Sequence, residues 1–249
     1  MKRFFLSLLA LAAVLTLHAQ QPQRAEALQA RADSLLNAGE FTEAQALFRQ
    51  ACTAYEAAGR TQTREAAQCW HSLGLAYFRT NSTQPAFEAT ARAMQLREKL
   101  LGKRSKEYIT SLGNYAIGLT NTEDYAQAIP MLQEAIALAE QVPDAAERLP
   151  GFYFQLGRSH YLAKQWRDAA AALEHASHMI PTTEKAFETC LEMLYSCYEE
   201  MDDLEGMKRV MARAEEVAQE ELKKPCNEPE CMLERAQYYA SHEDFEQAK

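Results

Sequence analysis

The stretch WHSLGLAYFRTNSTQPAFEATARA, residues 70–93, alternates large and small side chains in an order that decides the fold. Gly74 and Ala86 leave room for two helix backbones to approach closely, and Asn81 between them tolerates the left-handed conformation of a tight turn. The stretch therefore predicts two antiparallel helices joined near Asn81. Its large residues recur three and four apart, as neighbours on one face of a helix do: Trp70, Leu73 and Tyr77.

The small residue of the second helix recurs along the chain at intervals of 42, 42 and 41 residues: Ala44, Ala86, Ala128 and Ala169. Seven positions after each of them stands another small residue: Ala51, Ala93, Ala135 and Ala176. Three of the four are preceded, three positions earlier, by a large residue: Phe41, Tyr125 and Trp166. A fixed period of this length is the signature of a repeat protein, in which each unit buries its apolar face against the next.

The order of large and small residues resembles the tetratricopeptide repeat (TPR), and the longer spacing resembles its kinesin-light-chain type. The shared features are the run REKLLG at 97–102 and the following set: Ser111, Leu112, Asn114, Ala116, Tyr125, Ala128 and Pro130. The chain departs from that type at Ser105-Lys106, where the family usually has His-Pro. The resemblance implies an all-α fold, a right-handed superhelical α-solenoid of antiparallel helix pairs.

The sequence divides into a leader, a short polar N-terminus at 20–24 that we expect to be flexible, and a solenoid over 25–249. The fifth repeat has Leu194-Tyr195 where three earlier repeats have Leu-Gly, so we expect its helices to lie further apart or to cross differently. The sixth repeat stops early in its second helix, which predicts self-association through an uncapped C-terminal end. The predicted repeats, five complete and one partial, lie near 25–59, 67–102, 109–142, 150–181, 188–222 and 229–249.

Residues 1–19 have the organisation of a secretory signal peptide. The basic pair Lys2-Arg3 precedes an apolar run over 4–17, and a small-residue cleavage site ends at Ala19. An N-terminal membrane anchor is the disfavoured alternative, because the apolar run is shorter than the roughly 20 residues that span a bilayer. Cleavage after Ala19 predicts a periplasmic or extracellular mature chain.

Composition narrows the class of partner. The 249 residues carry a formal net charge of −9 at pH 7 without a basic stripe, which argues against binding to nucleic acid. After the leader, no apolar stretch is long enough to span a bilayer, so we expect no membrane insertion of the mature chain. The partner is therefore expected to be a protein or a peptide.

Six cysteines are relevant in an exported chain, because disulfides persist outside the cytoplasm. Cys52 and Cys69 lie on helices that we expect to be neighbours. The sequence is therefore compatible with a disulfide between them and with two free thiols. Cys190 and Cys197 are seven apart on one helix, about 10 Å along its axis, which exceeds the reach of a disulfide. Two further cysteines flank a short loop that a disulfide could close: Cys226 and Cys231.

The sequence lacks the patterns of a catalytic site. It has no Gly-rich phosphate loop, no G-x-S-x-G motif and no H-E-x-x-H motif. His175 and His178 are three apart and could share a metal, but no third ligand follows at a readable spacing, which favours solvated histidines. We therefore expect a non-enzymatic protein without a cofactor or a metal.

The remaining candidate site is the concave face that the first helices of stacked repeats form. Amide side chains there can hydrogen-bond the backbone of an extended peptide, and arginines can pair with carboxylates. The resemblance implies that Asn114 in particular holds a peptide main chain. The predicted peptide-binding groove consists of His71, Ser72, Leu75, Phe78, Arg79, Asn114, Ile117, Asn121, Phe154, Gln155, Arg158 and Tyr161.

These observations favour an exported, non-enzymatic TPR scaffold that binds a protein or peptide segment in its concave groove. The alternative is that residues 20–249 form the extracytoplasmic sensory or interaction region of a longer signalling protein or enzyme, truncated at 249. Unrelated ligands bind to the same repeat scaffold in different proteins, so the fold alone does not name the partner.

Overall fold

The structure is a computed structural model that describes residues 22–223, and in this range it contains helices and turns without a strand. The all-α class predicted from the period is confirmed. The chain divides into two compact units, with the boundary between Met179 and Ile180. The ten α-helices of the described range are α1 (22–37), α2 (Phe41–Ala57), α3 (Arg64–Arg79), α4 (Thr83–Leu101), α5 (Lys106–Asn121), α6 (Tyr125–Gln141), α7 (Leu149–Leu162), α8 (Trp166–Met179), α9 (Lys185–Glu200) and α10 (Leu204–Lys223), and a 3-10 helix, Pro143–Arg148, precedes α7.

Some predicted features lie outside the described residues. They are the signal peptide over 1–19, the partial sixth repeat over 229–249, and the pair Cys226 and Cys231. Within the described range, no helix is both long and apolar enough to cross a membrane.

In the first unit, consecutive helices pack in pairs, and each pair packs on the next. The pairs α3–α4, α5–α6 and α7–α8 are joined through contacts of α2 with α3, of α4 with α5 and of α6 with α7. A left-handed residue, such as Asn81 with φ 56°, ends the first helix of each pair. The N–H of the following residue then donates to the carbonyl five residues earlier, as Ser82 does to Tyr77 at 2.9 Å, which is the Schellman arrangement. The left-handed residues that end the first helices are Gly39, Asn81, Glu123 and Lys164 in the first unit and Asp202 in the second.

Small residues occupy the places where the two helices of a pair meet. A Cβ atom added to Gly74 would lie 2.3 Å from Thr90 Oγ1 and 3.4 Å from the carbonyl oxygen of Ala86, which confirms the predicted crossing. At Gly157 the added atom would lie 2.6 Å from Cγ of the buried Leu173. The alanines that define the repeat period are fully buried: Ala44, Ala86, Ala128 and Ala169.

The second unit contains the pair α9–α10, in which the small residue at the close contact lies on the second helix instead of the first. Tyr195 is half-buried at the position equivalent to Gly74. Gly206, at the start of α10, supplies the space instead, because a Cβ atom there would lie 2.3 Å from the ring of Tyr198. The predicted change in helix crossing remains a prediction, and the structure shows that the close contact has moved to the second helix.

Two hydroxyl side chains begin the first helices of the second and third pairs. Thr63 Oγ1 accepts from the N–H of Ala66 at 3.2 Å, and Ser105 Oγ accepts from the N–H of Tyr108 at 3.2 Å. These are N-caps, which satisfy backbone donors that a helix start leaves unpaired. The caps place the starts of α3 and α5 three residues before the predicted repeat starts at 67 and 109.

The close contact at Gly157 predicts that Gly157→Ala destabilises the protein by about 1–3 kcal/mol, because the added methyl group overlaps a buried leucine. Gly151→Ala is the matched control on the same helix. No atom lies within 4 Å of its added Cβ, so higher helix propensity should stabilise the protein by up to about 1 kcal/mol. Urea midpoints followed by circular dichroism measure both effects. Equal shifts in the two variants would contradict the close-contact interpretation.

Candidate binding face of the first helices

The first helices of consecutive pairs, α1, α3, α5 and α7, lie side by side in the first unit. Hydrogen bonds link neighbouring helices, among them Thr120 to Ser159 at 2.7 Å between α5 and α7. We call the surface that these helices expose the first-helix face. Its half-buried or exposed members from the predicted groove are Leu75, Phe78, Arg79, Asn114, Ile117, Asn121, Phe154, Gln155, Arg158 and Tyr161.

Two of the predicted groove residues lie in the interior instead. His71 is 6% exposed and Ser72 is 3% exposed. Ser72 Oγ donates to Asp33 Oδ1 on α1 at 3.3 Å and accepts from Gln68 Nε2 at 3.2 Å. Burial raises the pKa of the Asp33 carboxyl, and the Ser72 hydroxyl opposes that rise. These two residues therefore hold first helices together and add nothing to the exposed face.

A buried arginine completes this polar network. Arg97 of α4 is 4% exposed, and its Nη1 donates to Ser111 Oγ at 2.6 Å and to the carbonyl oxygen of Glu107 at 2.9 Å. Its Nη2 donates to Gln68 Oε1 at 2.6 Å, so one side chain joins α3, α4 and α5. Burial lowers the pKa of Arg97 to about 10. Arg97 was missed as an interior residue, although it follows the buried stripe of α4 at helical spacing: Ala86, Thr90, Ala93 and Arg97.

His71 belongs to the same network in its neutral form. Its Nδ1 lies 3.4 Å from Ser111 Oγ. Burial lowers the pKa of His71 to about 3, and the charges of Arg97 and Arg148 act in the same direction. The imidazole is therefore uncharged near neutral pH and is not a ligand for an anionic partner.

Phe78 combines packing with partial exposure. Its ring meets Phe87 edge to face at 5.5 Å between centroids, and Phe87 meets Tyr115 in the same way at 5.1 Å. A Cβ atom added to Gly118 would lie 2.4 Å from Phe78 Cζ, so this glycine of α5 makes room for the ring. These aromatic contacts join α3, α4 and α5 beneath the first-helix face.

The two cationic residues of the face have different surroundings. The exposed guanidinium of Arg79 lies 5.6 Å from the ring centroid of Phe41. Arg158 Nη1 donates to Asn121 Oδ1 on α5 at 2.9 Å and to Gln155 Oε1 at 3.4 Å. Within the described part of the chain, neither arginine pairs with a carboxylate.

The first-helix face also includes a side-chain amide, that of Asn114, without a hydrogen bond in the described part of the chain. Asn114 is half-buried, and none of the hydrogen bonds formed within residues 22–223 involves its side-chain amide. At the end of α7, Tyr161 packs its ring against Trp166 at 5.3 Å between centroids. The apolar members of the predicted groove are half-buried: Leu75, Ile117 and Phe154.

The histidine pair of α8 shows no metal-binding arrangement. His175 stacks on Tyr153, with ring centroids 4.9 Å apart, and Tyr153 Oη donates to Glu140 Oε1 at 2.8 Å. Across residues 22–223, no group of three His, Cys, Asp or Glu side chains is placed to hold a metal ion.

Comparison with known proteins agrees with this architecture. Residues 65–141 match the tetratricopeptide repeat family. This segment runs from α3 to the end of α6 and includes the Arg97 network and Asn114. A search of curated proteins gives no match.

Solved structures of TPR-like proteins share the fold. A putative kinesin light chain from Podosopora anserina, with nearly identical TPR-like repeats, superposes with a TM-score of 0.65 at 15% identity, covering 82% of this chain and 99% of that one. BtubC (BKLC) from P. vanneervenii gives 0.68 at 18%, covering 87% and 89%. MamA from Desulfovibrio magneticus RS-1 gives 0.60 at 16%, covering 79% and 96%. The predicted α-solenoid of helix pairs is confirmed.

The buried neutral imidazole predicts a pH-dependent stability. Below about pH 6.5 the unfolded chain binds a proton at His71, whereas the native chain does not until about pH 3. The free energy of unfolding should therefore fall as pH decreases through this window, by about 2 kcal/mol between pH 7.5 and pH 5. Urea unfolding at both pH values measures the difference.

The variant His71→Asn should show a smaller difference in the free energy of unfolding between the two pH values, whatever its stability at pH 7.5. His178→Asn, at an exposed position of α8, is the control and should keep the difference of the wild-type chain. An unchanged pH difference in His71→Asn would contradict a buried, neutral His71.

Proposed function

We propose that this chain is an exported, non-enzymatic scaffold whose first-helix face binds an extended protein segment. The observations that support the proposal most directly are the amide of Asn114 on α5, which forms no hydrogen bond within residues 22–223, and the guanidinium of Arg158, which is held against Asn121 from the adjacent helix α7. An amide can donate to and accept from a peptide backbone at once, which suits it to hold an extended main chain.

The charge distribution around Arg158 favours a segment that carries carboxylates. Helix α7 contains no acidic residue, and α5 contains none after Glu107. Arg158 is held by neutral amide oxygens of Asn121 and Gln155, so its charge is oriented but not neutralised. A carboxylate of the partner would form the charge-assisted hydrogen bonds that the protein itself does not supply.

Apolar contacts would complete the binding surface. Ile117 of α5 and Phe154 and Tyr161 of α7 are half-buried, so each exposes part of an apolar side chain next to the polar groups. A bound segment with alternating acidic and apolar side chains would match this mixture. Repeat proteins with stacked helix pairs offer such surfaces to their partners.

Selection of random displayed peptides on the immobilised mature chain tests this proposal. We expect enrichment of Asp, Glu or a free C-terminal carboxylate, and binding of the best peptide is then measured by fluorescence anisotropy. Arg158→Ala and Asn114→Ala should each weaken Kd roughly 10-fold or more, because each removes hydrogen bonds to the peptide.

Arg167→Ala is the matched control, since Arg167 is an exposed arginine of the second helix α8 and is not a member of the predicted groove. It should leave Kd unchanged. Equal Kd values for the wild-type chain, Arg158→Ala and Asn114→Ala would exclude the first-helix face as the binding site.

The proposal of export depends on the sequence of residues 1–19, with Lys2-Arg3, the apolar run and Ala19. We expect the full-length chain, expressed in a bacterium, to be recovered from the periplasm or the medium with Gln20 as its first residue. N-terminal sequencing and cell fractionation measure this. Leu11→Arg, in the middle of the apolar run, should keep the chain in the cytoplasm, whereas export of that variant would contradict a signal peptide.

A further inference from the structure

Two buried cysteine thiols face each other between the first and second helix pairs. Cys52 of α2 and Cys69 of α3 are 3% and 0% exposed, and their Sγ atoms lie 3.0 Å apart. A disulfide bond has an S–S distance of about 2.05 Å, so an approach of about 1 Å would complete it. The two cysteines lie on different helices, so the fixed spacing that separates two cysteines of one helix does not keep their sulfur atoms apart.

The other cysteines of the described range differ in this respect. Cys190 and Cys197 are also buried, but they lie seven residues apart on the single helix α9, beyond the reach of a disulfide. They therefore provide an internal comparison: two buried cysteines whose spacing on one helix prevents a bond to each other.

We propose that Cys52 and Cys69 form a disulfide bond that joins α2 to α3. The oxidant is a disulfide of the exterior compartment, such as oxidised glutathione. One cysteine thiolate attacks it to give a mixed disulfide and one glutathione thiolate. The second cysteine thiolate then attacks the mixed disulfide and releases the second glutathione. Two protons leave the cysteines and protonate the two released thiolates, so the cysteines lose two electrons and glutathione disulfide gains them.

The surroundings of the pair fix when this reaction occurs. The pKa of the Cys69 thiol is raised, first by its hydrogen bond with Cys52 and then by burial, which suppresses the reactive thiolate in the folded chain. Cys69 Sγ also lies 3.6 Å from the carbonyl oxygen of Phe48, deep between the helices. The bond therefore forms as the chain folds, before the two helices exclude the oxidant.

In the cell this bond depends on the proposed export, because cytosolic thiols stay reduced. In the test tube it depends only on the geometry of the two side chains. The reduced, unfolded mature chain is therefore refolded in a buffer of reduced and oxidised glutathione, and its free thiols are alkylated after acid quench and denaturation. We expect peptide mapping by mass spectrometry to find Cys52 and Cys69 linked, with the loss of two hydrogens.

The linked form should melt roughly 5–10 °C above the same chain after reduction, because the bond closes a loop in the unfolded state. Cys69→Ala should abolish this difference, and circular dichroism of the variant checks that it folds. Cys190→Ala combined with Cys197→Ala should retain the difference. Recovery of both Cys52 and Cys69 in alkylated form, or linkage of either to another cysteine, would overturn the proposal.

A separate measurement isolates the role of export. If refolding links the pair but the chain recovered from cells expressing the full-length sequence has both thiols free, the disulfide proposal stands and export is excluded. If the refolded chain has both thiols free, the disulfide proposal fails whatever the compartment.

Discussion

Close approach between helix backbones is the constraint on which the rest of this structure depends. At Gly74 and Gly157 even one added carbon atom would overlap the partner helix, and the alanines of the second helices are fully buried. Because these two pairs are held this tightly, the first helix of each takes a fixed place beside the first helices of the neighbouring pairs. Every polar contact described on the first-helix face follows from that placement.

Polar side chains then hold one pair in place relative to the next. The guanidinium of Arg97 donates to neutral oxygens of Gln68, Ser111 and the Glu107 backbone. The charge of the Glu107 carboxylate opposes the effect of burial on the pKa of Arg97, but no carboxylate of residues 22–223 forms a salt bridge with it. Burial of an unneutralised cation is costly, so this arrangement contributes little to stability compared with an apolar residue that fills the same space. What it adds is geometric: three donors of a rigid group meet acceptors on two other helices, which restricts their relative position.

The sequence predicted the helix pairs well because side-chain size acts locally. The alternation around Gly74, the turn at Asn81 and the buried alanines all depend on residues that are close in the chain. The burial of His71 and Ser72 depends instead on how α3 packs against α1 and α5, which the spacing within one helix does not determine. The burial of Arg97 was not predicted, because a charged side chain is normally expected at the protein surface.

The hydrogen bonds already formed between α1, α3 and α5 explain why the proposed binding site lies towards α7. Between α1, α3 and α5 the polar side chains of the interface already bond to one another, as Asp33, Ser72, Gln68 and Arg97 do. A ligand there would have to replace bonds that the protein has made, with little net gain in free energy. Among residues 22–223, no hydrogen-bond partner meets the amide of Asn114 and no carboxylate pairs with the charge of Arg158. At these positions a bound segment would add interactions and break few.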